Sequence, residues 1–570
     1  MIAWHRHLGA IGAFAVLVLA GCAALPAARP PAPPQPLRRL ALPAQPADDP
    51  LALVLAGEFA LAAGDLAAAA ADYVRAAQAS GDPAIAAQAA RVAVAARQWP
   101  QAHDALARWQ ALAPNDTDLI PLRAALALHD ARPDAAYADL LTLARQPDAR
   151  GWRSVAQVLV DAQDKKQAAD VLERLATPEL LGGKVEVWVA VGQLAVRLGD
   201  QPLAQRLARE AVRNFGSADA YVFAAQTCLV AGDKAGARAT FAEGLRRNPK
   251  DRHLRNAYAA TLGELGDNAA AARLLAEGAQ DDYSYTARAA YAARADDKAL
   301  IEALYRELKA LPPPHSGARL HLLGELAELL ERKAEALAWY RQVPADDEHV
   351  ADAQMRSALL LDATDKTAEA IALLHQLQAR AGDDAKTLGE VFLLEAEILH
   401  KRQRDDEALA VYDRGLNALP DDTRLLYGRA LLNDDLDRID AAVRDLRRVL
   451  ELKPNDADAL NALGYTLADR TDRQTEALSL IQRALALKPD EPAIIDSLGW
   501  VQYRLGHLDE AEKQLRTAYS RQPDAEIAAH LGEVLWVSGQ KDEARKVWEQ
   551  GRKKDAKNKV LLETIKRLGS

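Results

Sequence analysis

Two consecutive stretches decide the fold: Ala457–Pro489, ADALNALGYTLADRTDRQTEALSLIQRALALKP, and Pro492–Pro523, PAIIDSLGWVQYRLGHLDEAEKQLRTAYSRQP. With the first residue of each at position 1, Leu460, Leu463, Gly464 and Leu467 stand at positions 4, 7, 8 and 11 of one, and Ile495, Leu498, Gly499 and Gln502 at the same positions of the other. A second set follows in each, Ala477, Ile481 and Ala484 in one and Ala511, Leu515 and Ala518 in the other. Spacings of three and four put each set on one face of a helix, so each stretch predicts two helices packed through their small and apolar residues. Proline closes each second helix by disfavouring helical geometry in the residue before it. Pro420, Pro454, Pro489 and Pro523 lie 34, 35 and 34 residues apart, and Pro249 holds the same place in an earlier unit.

A helix pair repeated every 34 residues resembles the tetratricopeptide repeat (TPR). Glycine or alanine at the close positions lets the helices approach, and larger residues fill the grooves between ridges. The register continues through Leu531, Gly532, Leu535, Ala544, Trp548 and Gly551, and backward through Glu395, Ala396, Leu399, Ala408, Tyr412 and Gly415. Earlier units carry Leu323, Gly324, Ala327, Ala336 and Tyr340, then Tyr221, Ala225, Cys228, Ala237, Phe241 and Gly244, with Cys228 read as a small buried hydrophobe. About 15 units are expected between Pro50 and Ala556. The fold class is therefore all-α, a solenoid of stacked TPR helix pairs, which the resemblance makes a right-handed superhelix. The spacing contracts around Tyr283–Pro314, where Pro312, Pro313 and Pro314 suggest a joint. Residues 50–314 and 315–556 are read as two repeat segments, and 557–570 as a terminal capping helix.

The first fifty residues differ in kind. An uncharged apolar run from Leu8 to Leu19 follows Arg6, too short for a mature membrane span but suited to a signal-peptide core. It ends in Leu19-Ala20-Gly21-Cys22, which resembles the bacterial lipobox, so residues 1–21 are read as a signal peptide and Cys22 as the lipidated residue, palmitate among its acyl chains. Ala23, standing where an aspartate would retain the protein at the inner membrane, implies by the same resemblance the outer membrane, with the body facing the periplasm. Several acyl chains anchor stably where one is marginal. Residues 22–49, with Pro30, Pro31, Pro33, Pro34, Pro36, Pro43 and Pro46, form a tether that extends to roughly 80 Å.

Composition fits a stack of thin layers. Half of the 570 residues are apolar but only 5% are aromatic, and much of the apolar share is alanine. The net charge of −10 excludes nucleic acid as the main partner, since phosphate binding needs a basic surface. No His-Glu-x-x-His pair, phosphate-cradling glycine loop, Gly-x-Ser-x-Gly elbow or Cys/His cluster occurs, so no catalytic residue, metal or cofactor is expected. His349, His375 and His400 stand on separate units and are read as surface or inter-helix residues. The acidic runs at Asp281-Asp282, Asp346-Asp347-Glu348 and Asn433-Asp434-Asp435-Leu436-Asp437 are read as caps near helix junctions, and the basic residues from Arg552 to Lys559 as a solvated end.

Stacked pairs of this kind generate a binding groove lined by first-helix residues that point away from the core stripe. Candidates are Tyr427, Asn461, Tyr465, Asp496, Trp500, Tyr503, Arg504, Glu533 and Trp536, because exposed aromatic and arginine side chains are common binding anchors. On this reading, replacing Trp500 and Tyr503 by alanine reduces partner capture and leaves melting nearly unchanged. The lysine, asparagine and arginine set with which some TPRs clamp a terminal carboxylate is not reproduced.

The runs Leu460–Thr471 (LNALGYTLADRT), Ile494–Gly506 (IIDSLGWVQYRLG) and Ala529–Trp536 (AHLGEVLW) exceed what helix-pair spacing demands. Together they resemble the outer-membrane TPR lipoproteins that partner a periplasmic carboxyl-terminal processing protease. The resemblance implies a scaffold or adaptor that binds the protease, activates it and presents protein substrates such as peptidoglycan hydrolases, with no catalysis of its own. A TPR lipoprotein scaffold for exopolysaccharide export or pilus assembly shares the tether and the repeats and stays open.

Overall fold

The computed structural model describes residues 49–146, 149–382 and 384–568. The signal peptide, Leu19, Ala20, Gly21, Cys22 and nearly all of the tether lie outside the described residues. Every regular element among the described residues is a helix. They form fifteen successive antiparallel pairs, with one extra turn, Pro178–Leu181, and a last unpaired helix, Lys559–Leu568, where the capping helix was expected. No described helix is long and apolar enough to cross a membrane.

Local sequence explains the helix boundaries. Asp65, Asp164, Asp200, Asp233, Asp251, Asp267, Asp456 and Asp524 each accept a hydrogen bond from a backbone N–H of the first turn that follows. Such a cap satisfies a donor the helix leaves unpaired, worth about 1 kcal/mol. Asp281 does the same with Ser284, in a reciprocal capping box. The 433–437 run departs from its expected role: Asn433, Asp434 and Asp435 end helix Thr423–Asp435, and Asp437 takes a left-handed turn conformation, φ 60°.

Each helix pair closes through residues too small to keep its partner away. A Cβ placed on Gly532 would sit 2.0 Å from Trp548 Nε1, so only glycine admits the indole of the second helix. Leu460, Leu463, Leu467, Ala477, Ile481, Ala484 and Ile494 form one buried cluster that runs from one pair into the next. Burying each leucine or isoleucine stabilises by roughly 1.5–3 kcal/mol, and most of that burial needs the neighbouring unit. Leu561 of the last helix is fully buried, with Val560, Ile565 and Leu568 packed around the same cluster, while Arg552, Lys553, Lys554, Lys557 and Lys559 remain exposed. Cys228 is a free thiol and only half-buried, so it is not the fully buried hydrophobe its register suggested.

The chain divides into two compact units, one ending at Leu300 and one beginning at Ile301. The division falls within helix Lys298–Lys309, ahead of the proline triplet read as a joint.

Candidate functional site

The candidate residues of the second unit lie on consecutive first helices, Ala457–Arg470, Pro492–Arg504 and Ala525–Val537, with Tyr427 on Thr423–Asp435. Several sit deeper than an exposed groove position would. Asn461 and Asp496 are each 5% exposed, Trp500 6% and Glu533 2%. Among these four helices each packs against the first helix of the next unit, so a position turned away from its own partner helix is covered by its neighbour.

At the centre is His530, which is 1% exposed. Its Nδ1 lies 2.9 Å from Asp496 Oδ2 and its Nε2 3.3 Å from the Tyr465 hydroxyl, so one imidazole ties together three helix pairs. Trp500 stacks on the imidazole with ring centroids 4.3 Å apart, and its indole N–H donates to Asp469 Oδ1 at 3.0 Å. Burial works against a charged His530, but Asp496, with Glu526 and Asp469 beyond it, outweighs this and carries the imidazole up to about 9. Burial also raises the Asp496 carboxyl, and lifts the Tyr465 hydroxyl well above its ordinary value. Asp496 Oδ1 and Asn461 Oδ1 are buried without a hydrogen-bond partner among the described residues.

Around this centre the remaining candidates are more open. Tyr503 donates to Glu533 Oε1 at 3.0 Å and is pushed up to about 12 by burial and that carboxylate. Arg567 of the terminal helix also pairs with Glu533. Arg504 is exposed and donates to the Asp469 carbonyl at 2.6 Å. Trp536 is half-buried against Trp548, at 5.4 Å, with Lys541 and Arg545 over its ring at 4.9 and 5.1 Å. Tyr427 packs half-buried between two core clusters. The expectation that Trp500 could be removed without loss of stability is corrected by its burial and its indole hydrogen bond. Sequence reasoning passed over His530, Asp469 and Arg567. The histidine stands inside the quoted Ala529–Trp536 run and was its available signal.

The isolated histidines make local hydrogen bonds to carboxylates. His375 lies 2.9 Å from buried Glu395, His400 2.7 Å from Asp405 and His349 2.8 Å from Asp347. His321, Glu325 and Asp352 come close enough to share a metal ion. The Arg356 guanidinium already lies between Glu325 and Asp352, at 3.2 and 2.8 Å, so the arrangement is an ion-pair network around a resident cation.

Helix pairs with this register and these small-residue contacts define a TPR solenoid, a protein-interaction scaffold class. The tetratricopeptide repeat family profile matches residues 190–252, 427–492 and 497–558, so the chain carries TPR repeats over those residues. It is similar to the TPR repeat-containing protein PA4667 of Pseudomonas aeruginosa, 36% identical over 211 residues, which are 37% of this chain and 35% of that one. The match thus spans about a third of the relative's length. Among solved structures, a thermophilic TPR protein of Thermus thermophilus is 24% identical, covering 32% of this chain and 97% of its own, with a TM-score of 0.28. A tetratricopeptide repeat protein from Parabacteroides merdae is 14% identical over 48% of this chain and 99% of its own, with a TM-score of 0.35.

Proposed function

We propose that the chain is an outer-membrane-anchored periplasmic scaffold, held by lipid on Cys22, that binds a carboxyl-terminal processing protease and presents protein substrates such as peptidoglycan hydrolases to it. The observation that carries the reading is the cluster of Tyr465, Trp500, Tyr503 and His530, buried at His530 and Trp500 and bordered by exposed Arg504 and half-buried Trp536. These residues come from the segments Leu460–Thr471, Ile494–Gly506 and Ala529–Trp536, whose sequence goes beyond what packing of a repeat requires. The inner residues hold the three first helices in fixed register, and the outer ones, Tyr503, Arg504 and Trp536, give a partner aromatic and cationic anchors at little ordering cost. The chain supplies binding and position, and the chemistry belongs to the protease it holds.

Affinity capture through the chain from detergent-extracted envelopes, followed by mass spectrometry, tests the reading. Recovery of a serine protease with wall hydrolases supports it. Recovery of a secretin or a polymer synthase in their place assigns the chain to export or pilus assembly instead.

A further inference from the structure

In the first unit a cavity of about 640 Å³ opens where helices Pro83–Ala95, Leu119–His129 and Ala149–Asp161 end. Its volume lies within the range of sites that enclose a ligand or several side chains of a bound chain. Val94, Ala125 and Val158 give it an apolar wall. Trp99 and His129 line it as a stacked pair, ring centroids 4.1 Å apart and planes 15° from parallel, so that wall is flat and fixed.

The charged groups at the cavity are unequal. Arg97 and Lys165 line it with one carboxylate, Asp161, in a chain whose overall charge is −10. Asp161 already accepts a hydrogen bond from Gln157 at 2.6 Å, and the Lys165 ammonium donates to the Val160 carbonyl. The Arg97 guanidinium has no hydrogen-bond or ion-pair partner among the described residues. Arg97 also occupies the left-handed turn between paired helices, φ 56°, a place held by Gly64, Gly232, Gly266, Gly506 and Gly539 in other units. An L-residue there costs about 1–2 kcal/mol. Ala131 and Gln403 take the same conformation, so strain alone distinguishes nothing. What sets Arg97 apart is that its unpaired cation borders an apolar, aromatic-walled cavity.

We propose that this cavity docks an acidic segment of a partner protein, with a glutamate or aspartate side chain on Arg97 and Lys165 and a neighbouring aliphatic side chain against Val94, Val158 and the Trp99 ring. A carboxylate offers the guanidinium a charge-assisted, two-pronged partner that water cannot match. The chain's net charge of −10 disfavours such a segment over much of its surface. The site lies in the unit that does not contain the His530 cluster, so it stands or falls independently of the protease-adaptor reading.

The test is fluorescence anisotropy with the full chain and a fluorescein-labelled peptide of about ten residues, acetylated and amidated so that its termini are uncharged, with Glu-Leu-Glu at its centre. A matched peptide carries Gln-Leu-Gln. The acidic peptide is expected to bind at least about tenfold more tightly, to weaken as salt rises, and to lose about fivefold or more on Arg97→Gln and on Lys165→Gln. Both side chains are exposed, so the variants keep the wild-type circular dichroism. Equal binding of the two peptides, absence of saturable binding, or acidic-peptide binding untouched by both substitutions overturns the proposal.

Discussion

The imidazole of His530 and the carboxylate of Asp496 meet at 2.9 Å across two consecutive helix pairs, both side chains almost wholly buried. Because the folded protein holds His530 at about 9, against an ordinary value of 6.5, its contribution is fully present below pH 6.5 and is lost as pH rises through about 9. Asp496, raised from 3.8, contributes in the same direction at lower pH. Urea unfolding of the wild type is therefore expected to show a midpoint that falls between pH 6.5 and 9.5. His530→Gln should lower the unfolding free energy at pH 6.5 by an amount on the order of 1–3 kcal/mol and flatten its fall at higher pH. A variant with the wild-type slope would show that the pair does not set this dependence.

Two kinds of glycine should respond differently to alanine. Gly532→Ala forces the Trp548 indole out of its slot and should cost about 1–3 kcal/mol by overpacking. Gly506→Ala meets nothing within 4 Å, but must adopt φ +83°, and should cost about 1 kcal/mol. The converse change, Gln403→Gly at φ 59°, should raise the unfolding free energy slightly, by about 0.5 kcal/mol once the added freedom of the unfolded chain is counted. Denaturation curves at one pH decide all three.

Trp500→Ala should lower stability by about 3 kcal/mol or more, since it empties a buried slot, removes the indole hydrogen bond to Asp469 Oδ1 and uncovers one face of His530. Loss of partner capture by that variant alone therefore cannot be assigned to the surface. Exposed Arg504 and Lys541 give the cleaner probe. Arg504→Glu with Lys541→Glu should keep the thermal midpoint within a few degrees, since exposed charges contribute little to stability, while reducing capture of the partner in the same preparation.

The helix pairs were legible because their determinants are local. Small residues three and four apart, aspartates at helix starts and prolines after helix ends act within one unit, as the capping by Asp456 and the closure at Pro489 show. The terminal helix, with Leu561 among its apolar residues, was legible for the same reason. The site was less so because its partners are supplied by neighbouring units. Asp496 and His530 stand 34 residues apart, and Tyr465 and His530 stand 65 apart, so no single-unit pattern reveals that one imidazole serves both. The depth of Trp500 was missed likewise: a position facing away from its own pair is exposed or covered according to the next first helix. The cavity beside Arg97 draws on three successive units, and its turn residue is not the glycine that marks other turns.

As proposed, this chain acts by holding a protease and its substrate on a surface of stacked helices. The most direct measurement is cleavage of a peptidoglycan hydrolase by a purified carboxyl-terminal processing protease, with and without this chain at a matching concentration. Faster cleavage in its presence, lost with Arg504→Glu and Lys541→Glu while the chain alone cleaves nothing, is the predicted result. An unchanged rate together with no complex between chain and protease in sedimentation would contradict it.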